Sequence, residues 1–323
     1  MGKKDDYCID YLDDSQRFAD QVNGALFKGR QVVKPEELEP ADAQMVYLGK
    51  EAGARKDFKV IADKARTWKG RVLHILLVEN QSYVDYRMVL RNMLLESLSY
   101  HKQWKQKEAA HGNAKDLKPG TDAYFSGMAK EEKFTPVITL VVYCGTNPMW
   151  DGARCLYDLL DIDDETKDFV TNYKLNLYNC HEHDTFDEYR TGLRQLFEAV
   201  RYGRDKKELK RVMKENESSY NNIDKATREV LEVVANIKIP EGYKTMKDGE
   251  ERFEMCKAFE DYRLEGKLEQ LVEMVCKKLS KNKSAKTIAE ELEQDLPEIE
   301  RIIAAQKKVG SYDAGRICEF LGG

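Results

Sequence analysis

The first apolar rhythm in the chain has helical spacing. Phe18, Val22 and Leu26 recur within residues 13–26, with Asp13, Asp14 or Ser15 in position to cap the N-terminus. An opening amphipathic helix is predicted there. Beyond Pro35 and Pro40 the rhythm changes to short apolar and β-branched runs at 45–48, 58–62 and 71–78, punctuated by Gly49, Gly53 and Lys69-Gly70. These predict three strands of a meander. Residues 88–105 return to helical spacing through Leu90, Met93, Leu94 and Leu98, free of Gly and Pro, and predict a helix covering the sheet. Residues 111–132, with Gly112, Pro119, Gly120 and many charges, read as a loop or mobile insertion. Residues 136–144 are almost unbroken β-branched sequence, which predicts a central strand covered on both faces. Residues 173–178 alternate and fit an edge strand.

From about Thr185 the pattern becomes helical and charged, at 186–200, 206–217, 224–235 and 253–279. The fold class predicted is α/β, a mixed sheet flanked by helices and followed by an all-helical C-terminal region. The domain division expected is 1–200 and 201–323. Residues 284–306 outline two short helices broken at Asp295-Leu296-Pro297, a possible helix-turn-helix. Glu298 and Glu300 on its second helix would meet phosphates, which favours a plain helical hairpin. Phe259, Leu264, Leu268, Leu271 and Val275 form an interrupted heptad-like stripe, a candidate homo-oligomer interface through the C-terminal helices.

Composition narrows the classes. Of 323 residues, 41% are hydrophobic and 34% charged, enough apolar material for a core and too much for wholesale disorder. No stretch approaches the ~20 apolar residues of a membrane span, and the first residues lack a signal-like apolar run, so no membrane association is expected. Seven cysteines lie scattered without a CxxC pair, which points to a reducing, cytoplasmic setting. The net charge is −5, from 53 basic and 58 acidic residues, so binding to DNA requires a local basic patch or bound cations. The densest positive run, Arg201, Arg204, Lys206, Lys207, Lys210, Arg211 and Lys214, reads first as a solvated helix face. Cys180, His181, Glu182, His183 and Asp184 are too close in sequence, and lack a second cluster, for a tetrahedral zinc site. They read as a polar strand exit.

The most informative stretch is 73–82, a buried strand that ends in Glu79, Asn80, Gln81 and Ser82. A strand end fixes a carboxylate while leaving it open to solvent. If the preceding turn centres on Trp68, Asp57 lies opposite Glu79 in an antiparallel pair, with Cβ atoms roughly 4.5–5.5 Å apart. Two such carboxylates can share a divalent cation of the Mg²⁺ kind. Asp63 is the rival acid and requires a turn centred on Arg71. Residues 64–67 are poor strand sequence, and Lys69-Gly70 is the better turn.

Asp57, the strand ending in Glu79-Asn80-Gln81-Ser82, the helix from Tyr86 through Arg91, the strand 136–145 and Trp150-Asp151-Gly152 together resemble the Rpn family of recombination-promoting nucleases, whose members also carry the name transposase. These are bacterial proteins of the PD-(D/E)xK nuclease superfamily. Residues 17–26 are similar to the first helix of clostridial-type members, and the resemblance covers roughly 13–160. It implies a restriction-endonuclease-like fold and Mg²⁺- or Mn²⁺-dependent hydrolysis of DNA phosphodiesters. Asp57 and Glu79 would ligate the metal with the Asn80 backbone carbonyl, and Asp20 would be an additional acid. Gln81 stands where the wider superfamily has lysine; an amide can orient water but cannot act as a base. Arg91, Ser82 and Tyr100 are candidate substrate contacts, with Gln103 nearby. The rival class is a non-catalytic protein on the same fold that works through DNA binding or oligomerisation of its helical half.

Overall fold

The computed structural model describes residues 3–41, 44–51, 54–78, 84–145 and 150–322. In chain order its elements are helices α1 (Lys3–Tyr11) and α2 (Ser15–Phe27), strands β1 (Leu38–Pro40), β2 (Gln44–Glu51), β3 (Ala54–Ile61), β4 (Lys64–Trp68) and β5 (Arg71–Val78), helices α3 (Met88–Ala114) and α4 (Asp122–Ser126), strands β6 (Val137–Tyr143) and β7 (Asn176–Asn179), and helices α5 (Leu193–Tyr202) and α6 (Lys206–Glu215). Short α7 (Glu217–Tyr220) and β8 (Ile223–Asp224) precede α8 (Lys225–Val234), hairpin β9 (Lys244–Lys247) and β10 (Glu250–Phe253), and helices α9 (Met255–Leu279), α10 (Ala285–Leu292), α11 (Leu296–Val309) and α12 (Ala314–Gly322). Two units emerge: Met1–Glu215 with Ile223–Lys238, and Asn216–Asn222 with Ile239–Gly323. Among the described residues no helix is long and apolar enough to cross a membrane.

The first unit is mixed α/β. Among its described residues a five-stranded sheet runs in the order β1-β4-β5-β6-β7. The first three strands are antiparallel neighbours, and β5, β6 and β7 are parallel. The return from β5 to β6 is made through α3, as a parallel pair requires. β6, buried along nearly its whole length, is the central strand that its β-branched run predicts, and β7 is the edge.

The predicted meander is corrected in two ways. Among the described residues β2 and β3 pair with each other, as a two-stranded ribbon. The strand that joins β5 is β4, from sequence that looks too polar for a strand. Its cations find a partner in Asp13, on the connection between α1 and α2: Lys64 pairs with the carboxylate, and Arg66 donates to the Asp13 carbonyl at 3.0 Å. Ala65 and Trp68 are buried. The turn into β5 is Lys69-Gly70, with φ of 47° and 76°, the left-handed pair of a two-residue hairpin.

The N-terminal helix is also different from expectation. α1 precedes it, Asp14 caps α2 by accepting from the Arg17 amide at 3.0 Å, and the middle of α2 is buried from Phe18 to Gly24 rather than along one stripe. Gly24 has a steric reason: a Cβ there would come within 2.3 Å of the Tyr189 ring.

α3 runs nine residues past its predicted end, and the segment after it is pinned rather than loose. Gln103 donates to the Thr135 carbonyl at 3.0 Å and accepts from its amide at 2.7 Å, and Trp104 donates to the Ser126 carbonyl at 3.0 Å. His111 bridges Asp116 at 2.7 Å and Glu132 at 2.9 Å, with Lys107 on Glu132 at 3.2 Å.

The second unit has its core where α9 to α12 meet, around Val272, Val275, Ile288, Ile299, Ile302 and Ile317. Ser284 caps α10, accepting from the Thr287 amide at 3.2 Å, and Glu293 in a left-handed conformation ends it. The predicted helical pair is present. The heptad-like stripe is divided: Leu268, Leu271 and Val275 serve this core, while Phe259 and Leu264 stay exposed.

The His111 bridge has a pH signature. Hydrogen bonds to Glu132 and Asp116 raise the His111 pKa, and that to His111, with the Ala129 amide, pulls Glu132 down to about 2. The histidine's contribution is full below about 6.5 and is lost as pH rises through its elevated value; the glutamate's is full above about 4.3 and lost as pH falls toward 2. His111→Gln is therefore expected to lower the melting temperature more at pH 5.5 than at pH 8.5. Equal losses at both pH values would show that the bridge does not hold the segment.

Candidate functional site

α2 carries a set of buried polar side chains, each fixing another part of the first unit. The Asp20 carboxylate, 4% exposed, accepts from the Arg190 amide at 2.9 Å and from the Thr191 amide and hydroxyl at 2.8 and 2.7 Å. Asn23 donates to the Val33 carbonyl at 2.8 Å and accepts from the Val32 and Val33 amides at 3.1 and 2.9 Å. Arg17 reaches Asp224, the cap of α8, at 3.1 Å. Asp20 is therefore neither a solvent-facing acid nor placed as a metal ligand. Both its oxygens are engaged in holding the approach to α5, two residues before that helix begins.

The hairpin register decides which acid approaches the end of β5. Trp68 pairs with Arg71 and Lys64 with Ile75. The turn centre is thus Lys69-Gly70, and the same register continued places Asp63 opposite Leu76. The expected pairing of Asp57 with Glu79 falls outside the described residues at Glu79. Asp57 lies in β3 opposite Leu48, in the two-stranded ribbon. Asp63 stands at the head of β4, beside the strand that leads to Glu79. Glu79, Asn80, Gln81 and Ser82 lie outside the described residues.

What surrounds that strand end is well defined. A buried cluster contains Ala62, Val84, Tyr143 and Trp150, with Met88 and Leu95 of α3. Ala62 immediately precedes Asp63, Val84 immediately follows residues 79–83, and Tyr143 ends β6. One apolar floor therefore gathers the three chain segments that flank the exit of β5. At its rim the Tyr86 hydroxyl donates to Asp151 at 3.1 Å, and the Asp151 carboxylate raises the pKa of that phenol. Partial burial opposes ionisation of Asp85, but hydrogen bonds from Arg87, with charge from Arg87 and Arg91, hold its carboxyl below the usual range. Arg91, in the first turn of α3, thus belongs to this rim.

Tyr100 and Gln103 do not. The Tyr100 hydroxyl accepts from the Val137 amide at 3.1 Å, at the start of β6. Val78 pairs with Tyr143 at the other end of that strand, about 20 Å away at ~3.3 Å per residue. Tyr100 and Gln103 instead set the entry of β6. The basic run is partly neutralised: Arg211 pairs with Glu208 and with Glu215 at 2.7 Å, and Arg201 with Asp184 at 3.6 Å.

Sequence reasoning missed a thiol cluster at the neighbouring strand ends. Cys144 and Cys180 each follow their strand directly, and the preceding residues Tyr143 and Asn179 are paired. The shared signal was present in the sequence, Val-Val-Tyr-Cys and Leu-Tyr-Asn-Cys, but needed the parallel register to bring the two together.

Among the described residues no group of three or more His, Cys, Asp or Glu side chains is arranged to hold a metal ion. Comparison with known proteins returns no match among family models, curated proteins or solved structures.

The clamp role of Asp20 has a direct consequence. Asp20→Ala leaves two amides and a hydroxyl without their acceptor, and at roughly 1–3 kcal/mol for each stranded group a destabilisation of about 3 kcal/mol or more is expected in urea unfolding. A change under about 0.5 kcal/mol, the level of an ordinary surface substitution, would contradict it.

Proposed function

We propose that the first unit is a metal-dependent DNA endonuclease of the PD-(D/E)xK kind, with its site at the exit of β5. The observation that carries this reading is one apolar floor at the carboxyl ends of β5 and β6, which gathers Ala62 beside Asp63, Val84 and Tyr143 with the Tyr86–Asp151 pair at its rim. In sheets with parallel strands, ligands are held at that end. The order of elements supports the reading as well: helix α2, antiparallel β1, β4 and β5, crossover helix α3 and parallel β6 make a mixed sheet flanked by helices, the kind of core that a restriction-endonuclease-like fold would need.

The ligand set differs from the sequence expectation in one residue. Asp63 is taken in place of Asp57 as the candidate partner of Glu79 because it immediately precedes the strand hydrogen-bonded to β5 and directly follows Ala62 of the floor, while the hairpin register itself sets Asp63 opposite Leu76. A bound Mg²⁺ would acidify a water and offset charge gathering on the phosphoryl oxygens. The chain's own residues divide the remaining work. Gln81, a neutral amide, orients water without removing its proton. Arg91 is the cation for the backbone phosphate, and Tyr86, held by Asp151, offers a ring at the rim. DNA contact rests on this unit, since Glu298 and the exposed Glu300 stand in the first turns of α11.

The test is incubation of the purified protein with supercoiled plasmid and Mg²⁺ or Mn²⁺, beside an EDTA control. Metal-dependent nicking is expected, reduced at least about a hundredfold in Glu79→Gln and Asp63→Asn, and near wild type in Asp57→Asn. Loss in Asp57→Asn with retention in Asp63→Asn would restore the other carboxylate. Absence of cleavage with either metal would remove the nuclease reading and favour a non-catalytic binding protein.

A further inference from the structure

The parallel register of β6 and β7 brings two cysteines side by side. Tyr143 and Asn179 are partners, and the next residues are Cys144 and Cys180, hydrogen-bonded through their thiols. Neighbouring strands lie ~4.8 Å apart, within reach of the Cα separations that a disulfide spans. Cys180 is fully buried, whereas Cys144 is partly exposed. His181 completes the cluster. Its Nε2 lies 2.7 Å from the Gly145 carbonyl, an acceptor only, so Nε2 carries the proton and Nδ1 is left as the ring's base beside Cys180.

We propose that Cys144 and Cys180 form an oxidant-reactive dithiol, a modification site for hydrogen peroxide that closes into a Cys144–Cys180 disulfide. The exposed thiol meets the oxidant and the buried one resolves it. With the Cys180 proton resting on His181 Nδ1, Cys144 passes its own proton to the Cys180 thiolate and the Cys144 thiolate attacks peroxide; the S–O bond forms, the O–O bond breaks, and the released hydroxide takes the proton from His181 and leaves as water. Cys180 gives its proton to His181 Nδ1 and attacks the Cys144 sulfenic acid; the S–S bond forms and hydroxide leaves with that proton as a second water. Two thiols lose two electrons, and one peroxide becomes two waters.

The electrostatics prepare Cys180 as the nucleophile of the closing step. The Cys144 hydrogen bond stabilises the Cys180 thiolate most, burial opposes it, and His181 and Arg201 add to it, so its pKa falls well below an ordinary thiol. Burial disfavours the His181 cation, but the Cys180 sulfur and Gly145 carbonyl outweigh that and raise its pKa. By contrast, burial pushes the Cys256 thiol up to about 11. Cys256 is the internal reference for an unactivated thiol.

The test is peroxide treatment of the full-length reduced protein, with peptide mass spectrometry under non-reducing conditions and dimedone present in a parallel sample. A Cys144–Cys180 cross-linked peptide is expected to form roughly tenfold or more faster than any oxidation at Cys256, and to revert with a thiol reductant. In Cys180→Ser, dimedone is expected on Cys144 with no cross-link; His181→Gln is expected to slow closure without changing the product. Cys144 and Cys180 remaining reduced while other cysteines oxidise would overturn the proposal, as would a disulfide to a different partner.

Discussion

The first unit depends on a carboxylate that has no contact with solvent chemistry. Asp20 sits inside α2, and its two oxygens hold the amides that lead into α5. Asn23, less than one turn on, holds the backbone before β1. One helix thereby fixes both the chain entering the sheet and the chain leaving it. Hydrogen bonds to an ionised acceptor contribute roughly 1.5–3 kcal/mol each, more than neutral ones. This is why a helix so short in apolar content can be buried at its centre: Asp20 and Asn23 are partnered by backbone.

The same reasoning explains what the sequence could and could not reveal. The central strand β6, the crossover helix α3 and the polar break after Val78 were legible, because each is a local signal of composition or period. The register of β5 was not. It turns on Lys69 adopting a left-handed conformation beside Gly70, and on two cations of β4 being neutralised by Asp13, which lies 51 residues before Lys64 and 53 before Arg66. With that turn, Asp57 falls in the β2–β3 ribbon opposite Leu48, and Asp63 immediately precedes the strand paired with β5. Asp20 was misread for the opposite reason: its partners, Arg190 and Thr191, lie 170 and 171 residues away, and an acid on a helix has no local mark that distinguishes a clamp from a ligand.

The exit of the parallel strands gathers two different kinds of chemistry. Hard carboxylate and phenol oxygens collect around β5 and β6, whereas soft sulfur and imidazole collect at β6 and β7. Tyr143, stacked edge-on against Trp150 at 5.2 Å and lying 6.3 Å from His181, stands between them. The helical unit contributes a separate core whose apolar stripe is mostly consumed internally, which leaves little of the predicted oligomer surface beyond Phe259 and Leu264.

The central claim is that the proposed divalent-cation site belongs to the end of β5 and that Asp20 of α2 is a clamp on the approach to α5 and not one of its ligands. Calorimetric titration of Mn²⁺ into the wild-type protein, Glu79→Gln and Asp20→Asn, each at a temperature where circular dichroism shows it folded, measures this directly. The account predicts saturable binding to wild type and Asp20→Asn and its loss in Glu79→Gln. Binding that survives in Glu79→Gln and disappears in Asp20→Asn would contradict it.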